Sequence, residues 1–279
     1  MARKITLFLT LLLSICSAAA QEVDFDSKMQ DYGLVDVQSL DKTIGVELKY
    51  SSEDNFVGED MYGELERAYL LPHFAKKVMQ AQRILKEKHP NYSLLIYDAA
   101  RPLSVQREMR RAVEGTPYTA YVADGTRGGR HNYGVAVDLT IVDGEGKPLD
   151  MGAGFDDFTR KAWVGEKSAF SLAEYTAYVD KLRSEGLISE QAAKNRKLLL
   201  EIMDKVGLRP YVKEWWHYQD NDAKKTLEPP YMKKGVTPEG WMADDHGWRY
   251  RKADGKFYAD CEKTIGDTTY RFDAQGYVI

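Results

Sequence analysis

Ile44, Val46, Leu48 and Tyr50 alternate with Gly45, Glu47 and Lys49, a period of two that predicts a half-buried strand. Phe74, Val78, Ala81 and Leu85 then recur at helical spacing, and Pro72 stands where a first helical turn tolerates a missing N–H. Leu94 to Tyr97 predicts a short apolar strand, and Pro102 opens a second helix that runs to about Val113. Val135 to Ile141 predicts a central strand, with Val135, Val137, Leu139 and Ile141 on one face and Ala136, Asp138 and Thr140 on the other. Ser171 and Glu174 form a capping-box pattern ahead of Tyr175, Tyr178, Val179 and Leu182, with Gly186 placed to end that helix. A further helix from about Glu190 to Val206 closes at Gly207, and a strand from Leu208 leads to Glu214-Trp215-Trp216-His217. Strands and helices are mixed without regular βαβ alternation, which predicts an α+β fold.

The two ends of the chain depart from this pattern. Arg3 and Lys4, an apolar run from Ile5 to Ile15 and Ala18-Ala19-Ala20 predict a secretory signal over residues 1–20. The run is shorter than the ~20 residues of a spanning helix, so no membrane span is expected after cleavage. A lipoprotein signal ending at Cys16 would place bulky Ile15 directly before the cysteine. Beyond Pro229-Pro230, aromatics and glycines replace helix formers, and Tyr250-Arg251 recurs as Tyr270-Arg271, the spacing of short hairpin repeats. A boundary is therefore drawn near residue 235, giving a main domain over 21–235 and a hairpin tail over 236–279.

With 43% apolar and 29% charged residues, the 279-residue chain is long enough for one well-buried domain plus a small appendage. Signal cleavage removes two bases and no acids, taking the formal charge from -4 to -6, a poor match for nucleic acid. Of two cysteines only Cys261 remains in the mature chain, so no internal disulfide is expected. Export thus rests on the signal alone, with a periplasmic, extracellular or wall-associated destination.

Only five histidines are present, and two have informative neighbours. His131 precedes the strand that carries Asp138, and His217 follows Glu214 by three residues. Two imidazoles and a carboxylate would leave a fourth position open for water, as catalytic zinc sites do. Glu214 is then the candidate base, although a spacing of three in a regular strand points two side chains to opposite faces, so the backbone there should be bulged or turned. Arg101, between a strand and Pro102, could hold an oxyanion, a contact typically worth about 3–4 kcal/mol in the transition state. Other readings stay open from spacing alone. His131 could be a surface turn residue, Glu214 and His217 the polar edge of an aromatic core, and Arg101 a salt-bridge partner of Asp98 or Asp138. Asp138 is harder to place without a partner, since a carboxylate inside an apolar strand needs an arginine or a metal.

His131-Asn132-Tyr133-Gly134-Val135-Ala136-Val137-Asp138 resembles the first signature of the zinc D-alanyl-D-alanine dipeptidases of the vancomycin-resistance type. Glu214-Trp215-Trp216-His217-Tyr218 resembles their second, Tyr97 to Pro102 their arginine segment, and Met151 to Asp156 the segment whose aspartate meets the substrate amine. The likeness runs in order from about residue 40 to 230. It implies zinc bound by His131, Asp138 and His217, Glu214 as general base and acid, Arg101 stabilising the transition state, and Asp156 holding the ammonium of a short D-amino-acid peptide. The implied fold is the small antiparallel-sheet zinc peptidase shared with D,D-carboxypeptidases and hedgehog signalling domains. A D,D-carboxypeptidase acting on peptidoglycan stems and a non-catalytic zinc-bearing binder are the rival functions. Gly129 stands where the family usually has serine, and the stretch from Asp156 to the helix holding Asn195 and Arg196 is longer than the family pattern. The tail, from Gly247-Trp248 through Gly276-Tyr277, resembles the hairpin repeats with which Gram-positive surface proteins bind cell-wall glycan or teichoic acid. The alternative for it is an aromatic hairpin packed on the catalytic domain.

Overall fold

The computed structural model describes residues 25–123, 125, 128–166, 171–220, 240–244, 247–252, 256–266 and 268–279. The expected signal (1–20) and the expected boundary near residue 235 lie outside them. In chain order the main elements are α1 (Phe25–Asp31), β1 (Val35–Asp36), α2 (Val37–Leu40), β2 (Gly45–Val46), β3 (Tyr69–Leu70), α3 (Pro72–Lys88), β4 (Ser93–Asp98), α4 (Leu103–Ala112), β5 (Ala136–Val142), α5 (Leu172–Ser184), α6 (Glu190–Lys205), β6 (Leu208–Tyr211) and β7 (Glu214–Asp220). Two hairpins follow, β8 (Gly240–Asp244) with β9 (Gly247–Arg251), and β10 (Cys261–Ile265) with β11 (Thr268–Phe272). Among the described residues, no helix is long and apolar enough to cross a membrane.

A five-stranded sheet, ordered β2-β4-β5-β7-β6, carries the molecule. Its pairings are antiparallel except at one edge, where β2 runs parallel to β4. The antiparallel sheet expected from the sequence is thus mixed. The strand expected over residues 44–50 is also shorter, because only Gly45 and Val46 pair and Lys49–Ser51 winds into a 3-10 turn. The alternation still has a physical origin, since Ile44, Leu48 and Tyr50 are buried. The turn directs Tyr50 toward the open end of the sheet instead of continuing along its edge.

Helix α3 begins at Pro72 as expected and packs on β4 and α6. Its Phe74, Val78, Ala81 and Leu85 are wholly buried, the stripe that the helical spacing predicts. Gln82, also buried, donates to Thr43 and accepts from the Leu94 N–H, which ties the segment before β2 to β4. Ser171 and Glu174 make both bonds of a capping box, and α5 lies against α6. Helices α3 and α6 therefore pack against the sheet, and α6 also holds the loop from Leu149 to Trp163.

In the tail, Tyr250-Arg251 and Tyr270-Arg271 fall on the second strand of successive hairpins. Tyr258 lies between Tyr250 and Phe272, with ring centroids 5.8 and 5.6 Å away, and Arg249 sits 4.3 Å from the Phe257 ring centre. These aromatics pack on one another, and among the described residues the hydrophobic cluster of the main body extends to Tyr218.

Phe74 is a fully buried member of that cluster. Phe74→Ala should cost about 3–5 kcal/mol of unfolding free energy, read as a lower denaturation midpoint at unchanged slope.

Candidate active site

Three central strands present a row of polar residues in register. Asp138 on β5 is paired with Asp98 on β4 and with His217 on β7. Regular pairing would have put Tyr97 opposite Asp138, but the register shifts between Ile96 and Asp98 and the extra residue turns Asp98 toward the row. A second irregularity lies between β6 and β7, where Pro210 faces Tyr218 but Tyr211 faces Glu214. The intervening residues are taken up in β7, and Glu214 comes round to the side of His217, with its Oε2 3.8 Å from His217 Nδ1. This is the bulge that the three-residue spacing requires. His131 arrives from outside the sheet, on a 3-10 turn (His131–Tyr133) closed by Gly134 at φ 65°. A Cβ at Gly134 would stand 2.8 Å from Leu34 Cδ2, so both the backbone angle and the packing call for glycine.

Hydrogen bonds to the outer ring nitrogens decide which inner atoms are bare. His131 Nδ1 lies 2.8 Å from the Ala99 carbonyl oxygen, which can only accept, so Nδ1 carries the hydrogen and Nε2 has the lone pair. His217 Nε2 is 3.3 Å from Gln219 Oε1, which leaves the lone pair on Nδ1. These two bare nitrogens face each other at 3.0 Å. Asp138 Oδ1 is 3.3 Å from the first and 3.0 Å from the second, and it is buried with no hydrogen-bond donor aligned on it. One oxygen and two nitrogens, all within 4.8 Å of one another, thus converge with lone pairs inward. Such a cluster needs a cation or a proton between its members, and the donor set suits a divalent metal. In its absence the proton is favoured: burial pushes the His131 pKa down, but the Asp138 and Asp98 carboxylates outweigh it and raise the value. The same imidazoles hold the buried Asp138 carboxyl well below the usual carboxylate range.

Glu214, Arg101 and Asp156 line the same cavity of about 320 Å³ as this triad. Enclosure raises the Glu214 pKa to about 7; His217 opposes the rise and Asp138 adds to it. That value suits a group that must both accept and release a proton near neutrality. Arg101 is held by two bonds from Nε and Nη2 to Asp98 Oδ2, at 3.2 and 2.5 Å, and one from Nη1 to Gln106 Oε1 at 2.9 Å. It is therefore the salt-bridge partner of Asp98, as one reading of the sequence allowed, while still lining the cavity. Asp98, itself fully buried, also accepts from the Tyr62 hydroxyl at 2.5 Å and lies 3.3 Å from His131 Nδ1. Asp156, at the unusual φ of 57°, accepts from the Tyr50 hydroxyl at 2.9 Å. Burial raises its pKa well above the carboxylate range, and Asp138 and Glu214 add to the effect against the Tyr50 bond. A cationic ligand would restore its charge.

The loop that carries Asp156 is clamped from behind by α6. Buried Arg196 donates to the carbonyls of Met151, Lys161 and Trp163 at 2.6, 2.6 and 3.1 Å, and Asn195 to that of Asp150 at 2.7 Å. Gly129 also lines the cavity, and a Cβ there would meet only Asn132 Oδ1 at 3.6 Å, so room remains beside it. All six residues singled out from the sequence thus meet in one cavity. The supports Tyr50, Tyr62, Gln106, Gln219 and Arg196 went unnoticed as such. Their signals, uncharged polar atoms on otherwise apolar faces and an arginine inside a helix stripe, become specific only once the partners are known.

The D-ala-D-ala dipeptidase family description matches residues 30–177 and 180–236, most of the chain. The chain belongs to that family. It is a metallopeptidase family. The D-alanyl-D-alanine dipeptidase of Escherichia coli (strain K12) is 32% identical over 186 residues, covering 67% of this chain and 83% of the relative. The protein of the same name from Synechocystis sp. is 27% identical over 72% of this chain and 90% of its own length, and that from Enterococcus faecium 27% identical over 61% and 82%.

For a member of a metallopeptidase family, metal content is the direct readout of the triad. His217→Ala should lower bound divalent metal well below stoichiometric, measured by elemental analysis after dialysis. Because His131 holds its proton above the usual histidine range, metal uptake by the apoprotein should release protons and weaken as pH falls through that range.

Proposed function

We propose that the chain is a zinc-dependent dipeptidase that hydrolyses D-alanyl-D-alanine and similar short D-peptides. The observation that carries this reading is the meeting of a convergent His-Asp-His donor set, a carboxylate with pKa near 7 and a fixed guanidinium in one small cavity. When bound among His131, Asp138 and His217, zinc would polarise the scissile carbonyl and acidify a water. Glu214 takes the proton of the attacking water at its carboxylate and passes it to the leaving amine. Arg101, fixed by Asp98 and Gln106, meets the charge that develops on the carbonyl oxygen, with no reorganisation needed at the moment of reaction. Asp156 receives the peptide ammonium, which replaces the neighbouring carboxylates' repulsion with attraction.

Peptide length is limited by aromatic side chains at the mouth. Phe56, Tyr118 and Tyr121 surround Phe158 with ring centroids 5.2, 5.5 and 4.6 Å from it, and Phe56, Tyr121 and Phe158 line the cavity. A cavity of about 320 Å³ is at the small end of ligand sites, typically ~300–1,000 Å³, and favours a dipeptide over a peptidoglycan stem.

The same reading takes the protein to be exported by its N-terminal signal, with residues 236–279 as an appendage that associates with cell-wall glycan or teichoic acid through its aromatics. Half-exposed Trp248 is the first of them to test. Deleting the tail should reduce pull-down with cell walls and leave dipeptide turnover near normal; loss of folding would instead assign these hairpins to the catalytic body.

Glu214→Gln keeps shape and polarity but cannot accept the proton. Metal content and folding should persist while turnover of D-Ala-D-Ala falls at least roughly 100-fold, mostly in kcat. Turnover within a few-fold of wild type would remove Glu214 from the mechanism, and a wild type inert toward every short D-peptide would favour a non-hydrolytic binder.

A further inference from the structure

A short peptide enters as a zwitterion, and the site described so far meets only its ammonium, its carbonyl and its leaving amine. A carboxylate drawn into a half-enclosed cavity loses water and needs charged donors in exchange. Among the described residues, two guanidinium groups line the cavity, those of Arg101 and Arg130. Arg101 is committed to Asp98 and Gln106. The Arg130 guanidinium has neither hydrogen bond nor ion pair with any described residue, and its Nη1 is buried without a partner.

The surroundings of Arg130 sharpen the contrast. Burial lowers its pKa, Arg209 lowers it further, and Asp220 only partly offsets them. Asp220 is already engaged by Lys77 at 2.8 Å, with His73 at 3.8 Å. A guanidinium in this position costs free energy in the empty site, and an incoming anion would recover it. Space is available as well, because neighbouring Gly129 has no side chain and a Cβ there would touch nothing closer than 3.6 Å. Asp156 and Arg130 line the same cavity, one an acceptor for the ammonium and the other a donor for the carboxylate of a single zwitterion. Arg130 directly precedes the triad residue His131, and the three converging donors line this same cavity.

We propose that Arg130 binds the C-terminal carboxylate of the peptide and thereby selects substrates whose free C-terminus lies one residue beyond the scissile bond. The proposal rests on the dipeptidase reading. Arg130 is a specificity-determining residue here, and it takes no part in proton transfer.

The test compares D-Ala-D-Ala with its C-terminal amide on the wild type, Arg130→Gln and Arg130→Lys. Wild type should prefer the free acid by at least about tenfold in kcat/KM, the range expected for a charge-assisted hydrogen bond. Arg130→Gln should lose most of that preference through a raised KM for the acid, and Arg130→Lys should keep part of it. An unchanged preference in Arg130→Gln would overturn the assignment. So would a wild type that cleaves acid and amide equally well, a result that needs no variant to fold. A wild type that cleaves neither compound would overturn the dipeptidase reading itself, and the role of Arg130 with it.

Discussion

Three lone pairs pointed at one another are unstable without a positive charge between them, and the centre of this protein is built around that constraint. His131 Nε2, His217 Nδ1 and Asp138 Oδ1 approach to 3.0–3.3 Å. The supporting bonds remove the alternatives that would relieve the repulsion. The Ala99 carbonyl fixes the tautomer of one ring and Gln219 that of the other, so neither imidazole can turn an N–H inward without losing its outer bond. A proton can occupy the gap, and the raised pKa of His131 records that tendency, but a divalent cation satisfies all three donors at once.

The neighbouring charges follow from the same centre. Burial raises both Glu214 and Asp156 and Asp138 adds to the rise, so two carboxyls that would be ionised in water are left poised, one for proton transfer and the other for an ammonium. Asp98 balances the excess of negative charge by holding Arg101, and Tyr62 completes its coordination. Two β-bulges make the arrangement possible, one turning Asp98 into the row and one bringing Glu214 beside His217. Regular strands would have pointed these carboxylates away, which is why the local departures from sheet geometry fall at the chemistry.

Much of this was legible in the sequence where a residue obeys a period or breaks one conspicuously. The stripe of α3, the capping box of α5 and the central strand with Asp138 in it are read directly from spacing. The bulge at Glu214 followed from its spacing of three from His217, two side chains that had to share a face. The shortened β2 was not legible, because alternation reports burial and the 3-10 turn at Lys49–Ser51 buries Tyr50 as well as a strand would. Its parallel pairing with β4 is a long-range choice with no local signal. Arg196 and Gln219 act through backbone carbonyls and a ring nitrogen supplied by distant segments, so their roles depend on a fold that spacing does not specify.

The most direct measurement is anomalous scattering from crystals of the protein grown with zinc and recorded on both sides of the zinc absorption edge. One strong peak is expected, within bonding distance of His131 Nε2, His217 Nδ1 and an Asp138 carboxylate oxygen. A peak bound through His131 Nδ1, or a metal seated elsewhere while this cluster stays closed by a proton, would contradict the convergent donor set on which the chemistry depends.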